Sequence, residues 1–129
     1  MDKQDYIDYW VKTSECDLSS MQTIFQAGKY DWSLFIGHLA LEKILKALWI
    51  KDNERNFPPK SHNLLKLAEE TSYKPDEGKK ILLVRITSFQ LESRYPDYKL
   101  DFYNKCTKEF TEENIINITE LHKCIMEMI

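Results

Sequence analysis

The stretch Tyr30–Lys51, YDWSLFIGHLALEKILKALWIK, decides the fold. It contains no proline and one glycine, Gly37, and is long enough for about six helical turns. Apolar residues stand at Trp32, Leu34, Phe35, Ile36, Leu39, Ala40, Leu41, Ile44, Leu45, Ala47, Leu48, Trp49 and Ile50. They cover far more than the single stripe of a surface helix, so neighbours must pack on most sides of it. The polar residues inside the run are ordered. His38, Glu42 and Lys46 follow at i, i+4 and i+8 and form one ridge, with Lys43 beside it. The stretch reads as the central helix of a bundle with one narrow polar seam. Asp31 and Ser33 are placed to supply a capping oxygen at its start.

On the N-terminal side, Tyr6, Tyr9/Trp10, Thr13, Cys16/Asp17, Ser20/Met21, Ile24 and Phe25 recur at helical steps from about Asp2 to Ala27, with Asp17 as a polar interruption. Gly28 supplies a stop, and the short link to the central helix favours an antiparallel hairpin. On the C-terminal side, Asp52–Lys60 is polar, carries Pro58-Pro59 and reads as a loop. Ser61 is a candidate N-cap for a short helix, His62–Thr71. Pro75 or Asp76 opens a helix from Glu77 to about Ser93, with Ile81, Leu82, Val84, Ile86, Phe89 and Leu91 as core candidates. Val84, Ile86 and Thr87 also suit a strand, but the alternation a strand needs is missing. Pro96 ends the helix near Arg94, since the residue before a proline avoids the helical region. Lys99–Thr107 reads either as a short helix or as an irregular arm. A last helix starts at Thr111 and buries Ile115/Ile116, Ile118, Leu121/His122, Ile125 and Met126. The expected class is all-α: one domain, an up-and-down bundle of four main helices plus one short helix.

Composition narrows the function classes. With 129 residues, 43% hydrophobic and 30% charged, the chain suits one hydrophobic core. A net charge of −3 gives no general attraction to nucleic acid or anionic membrane, though a local basic patch remains open. The N-terminus is acidic and polar, unlike a signal peptide, and no uncharged apolar run reaches the ~20 residues of a membrane span. Cys16, Cys106 and Cys124 are an odd, widely spaced set that matches no zinc motif; reduced thiols in a cytoplasmic protein are expected. No cofactor and no metal are expected.

Four pieces, in order, resemble a HEPN domain: Lys29-Tyr30-Asp31-Trp32; His38-Leu39-Ala40-Leu41-Glu42-Lys43-Ile44-Leu45-Lys46-Ala47-Leu48; Pro58-Pro59-Lys60-Ser61-His62-Asn63-Leu64-Leu65-Lys66-Leu67; and Ser93-Arg94-Tyr95-Pro96-Asp97. The resemblance covers most of the chain. It implies a bundle of four or five helices that often dimerises and is often found beside or paired with a minimal nucleotidyltransferase. RNA-cleaving members of that family carry an Arg, four to six residues, then a His. Here Lys99, Leu100 and Asp101 stand where that His would follow Arg94, and Gln90, Leu91 and Glu92 where it would follow Arg85. Arg55 and His62 have the spacing, but Pro58-Pro59 lies between them.

The candidate ligand-binding residues are Arg94, Tyr95, His62, Lys60, His38, Glu42 and Lys46. Arg94 offers a planar fork of donors suited to phosphate; the structural alternative is helix capping with a salt bridge to Asp97. Tyr95 and Tyr98 can stack on a base or serve as core or interface aromatics. His62 and Lys60 flank a helix start where an anion can sit, or His62 simply pins the loop. The His38–Glu42–Lys46 ridge either lines a phosphate or ribose groove or is an internal ion network. The expected function is a nucleotide- or RNA-binding helical module, with a nucleotidyltransferase as the partner the resemblance implies. Trp10, Trp32, Trp49 and seven tyrosines exceed what one small core hides, so a homodimer is expected. Two alternatives stay open: a metal-independent ribonuclease using Arg94 with His62 or His38 as base, and a purely structural dimerisation domain.

Overall fold

In the computed structural model, which describes residues 1–129, six helices follow one another: α1 Lys3–Gln26, α2 Tyr30–Asp52, α3 Leu64–Glu69, α4 Glu77–Glu92, α5 Pro96–Lys105 and α6 Lys108–Met126. The central helix is where the sequence places it. Fifteen of the 23 residues of α2 are buried, and α2 packs against each of the other five helices. Trp32 is the exception among its large apolar residues, lying exposed at the first turn.

α1 and α2 form an antiparallel hairpin, closed by Gly28 at φ +79°, a conformation that glycine adopts without a Cβ clash. Three side chains show the direction. Lys3 Nζ donates to the carbonyls of Ile50 and Asn53, Ser14 Oγ to that of Ala40, and Ser33 Oγ to that of Met21. The fully buried positions of α1 are Ile7, Ser14 and Met21, a seven-residue repeat, while Tyr9, Cys16 and Ser20 face solvent. The small Ser14 lets α1 approach the backbone of α2 closely, which narrows the buried seam.

α6 runs alongside α2. Ile118 Cδ1 and Met21 Sδ both crowd Gly37, so close that a Cβ there would stand 2.7 Å from each. Lys51 Nζ reaches the Met128 carbonyl. α4 runs the other way, its end lying over Phe35 of α2. α1, α2, α4 and α6 thus alternate in direction around one core of 19 buried residues.

Several local expectations are corrected. α2 begins at Tyr30 with Lys29 as an N-cap that makes no side-chain bond. Asp31 and Ser33 therefore lie inside the first turn, where Asp31 pairs with Lys99 and Ser33 bonds α1. The short helix starts at Leu64, capped by Asn63 rather than Ser61, because the ring and carbonyl of His62 are both bonded to α2. In α4, Leu83, Ile86 and Phe89 are buried while Ile81, Val84 and Leu91 are exposed. Residues 96–105 are a helix, α5, with Pro96 in its first turn, and α6 begins at Lys108 because Thr107, not Thr111, caps it. Ile116 faces out. Trp49 is interior, its Nε1–H donating to Glu70 Oε2 at 2.6 Å, so it adds nothing to the aromatic surface.

Candidate functional site

The polar ridge of α2 is buried, not solvated. His38 is 0% exposed, and Glu42 and Lys46 are nearly as enclosed. Lys46 Nζ donates to Glu42 Oε2 at 2.9 Å and lies 5.4 Å from the centre of the Trp10 ring. The other carboxylate oxygen, Oε1, accepts from His62 Nδ1 at 2.7 Å. Burial alone would raise the Glu42 carboxyl, but the bonds from Lys46 and His62 outweigh it and hold the pKa below its ordinary value.

His62 is held twice. Besides the bond to Glu42, its backbone carbonyl accepts from His38 Nε2 at 2.9 Å. That bond fixes the hydrogen of His38 on Nε2, since a carbonyl only accepts. Its Nδ1 is buried without a partner. Burial lowers the His38 pKa, with the charges of His62 and Arg94 adding to the push against the His62 carbonyl and Glu42. His38 is therefore a neutral anchor behind the surface, whereas the His62 side chain is 57% exposed. With Nδ1–H turned to Glu42, His62 presents Nε2 outward.

Arg94 stands beyond the C-terminus of α4. Its Nε donates to the Gln90 carbonyl at 2.7 Å and its Nη2 to Gln90 Oε1. The guanidinium also lies over the rings of Phe35 and Tyr95, at 5.3 and 5.6 Å from their centres. It turns back one helical turn to Gln90, so of the structural alternative the cap on the last turn of α4 is formed and the salt bridge to Asp97 is not. Three of its five N–H donors are left for a ligand.

The structure thus gathers His38, Glu42, Lys46 and His62 in one cluster along the middle of α2, while Arg94 and Tyr95 lie by Phe35, nearer its start. Lys60 precedes His62 on the covering loop and is exposed. Arg55 remains on the outer part of that loop, exposed. Phe35, Gln90 and Trp10 belong to the site and were not foreseen. The first two were accessible from spacing, Phe35 three residues before His38 and Gln90 four before Arg94. No group of three or more His, Cys, Asp or Glu side chains is gathered so as to hold a metal ion.

A family model described as HEPN domain matches residues 7–129. The chain belongs to the HEPN family. This HEPN domain is also similar to the crystal structure of TT1696 from Thermus thermophilus, with a TM-score of 0.81 over 95% of this chain and 98% of that one. At 19% identity that likeness is one of fold. No curated protein matches it in sequence. No helix of this HEPN domain is long and apolar enough to cross a membrane.

Proposed function

We propose that this HEPN domain is a cytoplasmic binding module that takes the phosphate of a nucleotide or RNA at the Arg94 end of the α2 seam, dimerises, and works with a nucleotidyltransferase. The observation that carries it is the state of Arg94. Its guanidinium is steadied by Phe35, Tyr95 and Gln90, yet it pairs with no carboxylate and keeps three donors free. Such a fork is pre-organised for a phosphate and loses little freedom on binding. The partnership with a nucleotidyltransferase draws on the family alone.

A ribonuclease reading has one observation in its favour, the carboxylate–imidazole pair Glu42–His62 with Nε2 facing out. A general base needs that orientation. His38 does not compete for the role, because it is enclosed.

The test is a thermal-shift titration with nucleotides and a short RNA, on the native chain and on Arg94→Ala. A ligand bound only by the folded chain adds roughly 2.7 kcal/mol at about 100 times its dissociation constant. The expected result is a shift that disappears in Arg94→Ala. Incubating the same RNA with the native chain and with His62→Ala separates binding from cleavage. Intact RNA in both supports the binding module, and cleavage lost in His62→Ala supports the ribonuclease.

A further inference from the structure

Residues 53–62 carry the chain from the end of α2 toward α3 across the polar seam, and none of them makes a backbone–backbone hydrogen bond. Both ends are fixed. The Asn53 carbonyl accepts from Lys3 Nζ at 2.7 Å, and Asn53 Nδ2 donates to the carbonyls of Trp49 and Glu70. Past His62, Asn63 caps α3 and the Leu64 N–H donates to Thr87 Oγ1 at 3.1 Å. Between Asn53 and His62 no residue is hydrogen-bonded to a helix; the one bond there is local, from the Asn63 N–H to Ser61 Oγ. Pro58 and Pro59 fix φ at two successive residues and restrict the residue before each, so the middle of the segment is stiff and moves as a piece.

The hold of this piece on the bundle is small. Phe57 meets Tyr6 edge-on at 5.3 Å between ring centres, yet it is 72% exposed and so hides little apolar surface. Asn56 Oδ1 is enclosed without a hydrogen-bond partner, which works against the covered arrangement. Asn56, Phe57, Pro58 and Lys60 wall the same recess as Lys46 and Trp10. Lys46 is 7% exposed there, and its pair with Glu42 is kept from water. Burying an ion pair costs hydration that the attraction of the two charges repays only in part. The strong attachment that remains is His62. Its Nδ1–H donates to Glu42 Oε1 at 2.7 Å, and its carbonyl accepts from His38 Nε2 at 2.9 Å.

We propose that residues 54–62 are a lid, hinged at Asn53 and Asn63 and latched by His62, that opens over the seam while the six helices stay folded. Opening lets water reach Asn56 Oδ1, Lys46 and Glu42. It also parts His62 from the carboxylate that turns Nε2 outward. The position of the lid therefore decides whether the Glu42–His62 pair exists. Closed, the chain presents an oriented imidazole; open, it presents a solvated Glu42–Lys46 pair. The device does not rest on the phosphate reading of Arg94, which lies by Phe35, nearer the start of α2.

The experiment follows acetylation of each lysine of the full chain by mass spectrometry, with N-hydroxysuccinimide acetate at constant pH. Lys60 is exposed and labels at once, whereas Lys46 labels only when it is uncovered. The first series adds urea in steps below the unfolding transition. A local opening exposes little new surface, so the Lys46 rate is expected to stay nearly flat. A rate that climbs with the slope of global unfolding overturns the lid. The second series uses His62→Ala, which removes the latch to Glu42. Lys46 labelling is expected to accelerate about tenfold or more, the worth of a hydrogen bond to a charged group. Lys43, paired with Asp17 of α1, is expected to keep its rate. An unchanged Lys46 rate in His62→Ala overturns the latch, and equal acceleration at Lys43 and Lys46 assigns the change to general loosening and overturns it too. If His62→Ala does not fold, the urea series on the native chain decides alone.

Discussion

His122 and His38 are both held uncharged by their surroundings, and both link folding to pH. The Ser14 hydroxyl spends its one proton on the Ala40 carbonyl at 2.6 Å, so it accepts from His122 Nε2 at 2.9 Å. Burial pushes the His122 pKa below its ordinary 6.5, against the pull of Glu15, and burial does the same to His38. A histidine lowered on folding takes its proton more readily in the unfolded chain. From 6.5 down to the folded values the unfolded state holds more protons, so stability falls as pH falls. The slope is at most about 1.4 kcal/mol per pH unit for each histidine. Glu42, lowered from 4.5, extends the loss at more acid pH as its carboxylate is protonated. In urea unfolding between about pH 8 and about pH 5, the midpoint is expected to hold above 6.5 and to drop below it. His122→Gln keeps an N–H for Ser14 but cannot take the proton, so its acid decline should be shallower. Parallel profiles would remove His122 from the account. The residues behave unequally as sequence signals. His38, Glu42 and Lys46 were legible as one ridge from their four-residue steps. His62 against Glu42 was not, because they stand twenty positions apart with a proline-bearing loop between them, and spacing encodes contact only within an element.

α5 owes its place to one lysine. Lys99 Nζ donates to Asp31 Oδ2 at 3.2 Å and to the Ser93 carbonyl at 2.8 Å, and lies 4.3 Å from the centre of the Trp32 ring. Phe102, stacked at a tilt on Phe89, is the one buried residue of this helix, so its apolar attachment is small. Lys99→Ala removes three contacts and leaves the enclosed carboxylate of Asp31 without its counter-charge. A loss of about 1–3 kcal/mol is expected, the cost of an unsatisfied buried group. Amide exchange should accelerate across 96–105 while α2 beyond its first turn stays protected. Uniform acceleration through the whole chain would mean that α5 does not open as a local unit. The same weakness explains why this element read as helix or arm: ten mostly polar residues with one buried side chain carry little periodicity. The long helices were legible because α1 and α2 each bury a seam over more than five turns. α4 was legible as a helix but not in its facing. Its apolar residues form two opposite stripes, Leu83, Ile86 and Phe89 inward and Ile81, Val84 and Leu91 outward, and periodicity alone cannot rank them.

The outward stripe of α4 bears on the state of the whole molecule. Ile81, Val84 and Leu91 are 62, 57 and 44% exposed, with Ser88 between them on the same face, and Tyr95, just beyond the helix, is 48% exposed. Apolar residues scattered singly on a surface need no partner, whereas several along one helix face suit the dimer contact proposed above. A second copy is the simplest occupant, since a two-fold axis across α4 would set each stripe on its own copy. A stable contact hides roughly 800 Å² on each side, so a contact on this face would also take in exposed neighbours such as Tyr98 of α5. Such an axis would also carry Arg94, next to Tyr95, to the rim of the contact and draw the two phosphate ends together. Val84→Lys with Leu91→Lys places two charges on the stripe without touching the core, so each chain should keep its stability within about 0.5 kcal/mol per exposed change. Light scattering behind size exclusion is expected to give twice the chain mass for the native protein and a single chain mass for the double variant. RNA binding should then weaken in the variant although Arg94 is intact, because two linked sites bind one strand more tightly than either alone. A native protein of single chain mass at tens of micromolar would remove the dimer and leave the stripe to a partner protein.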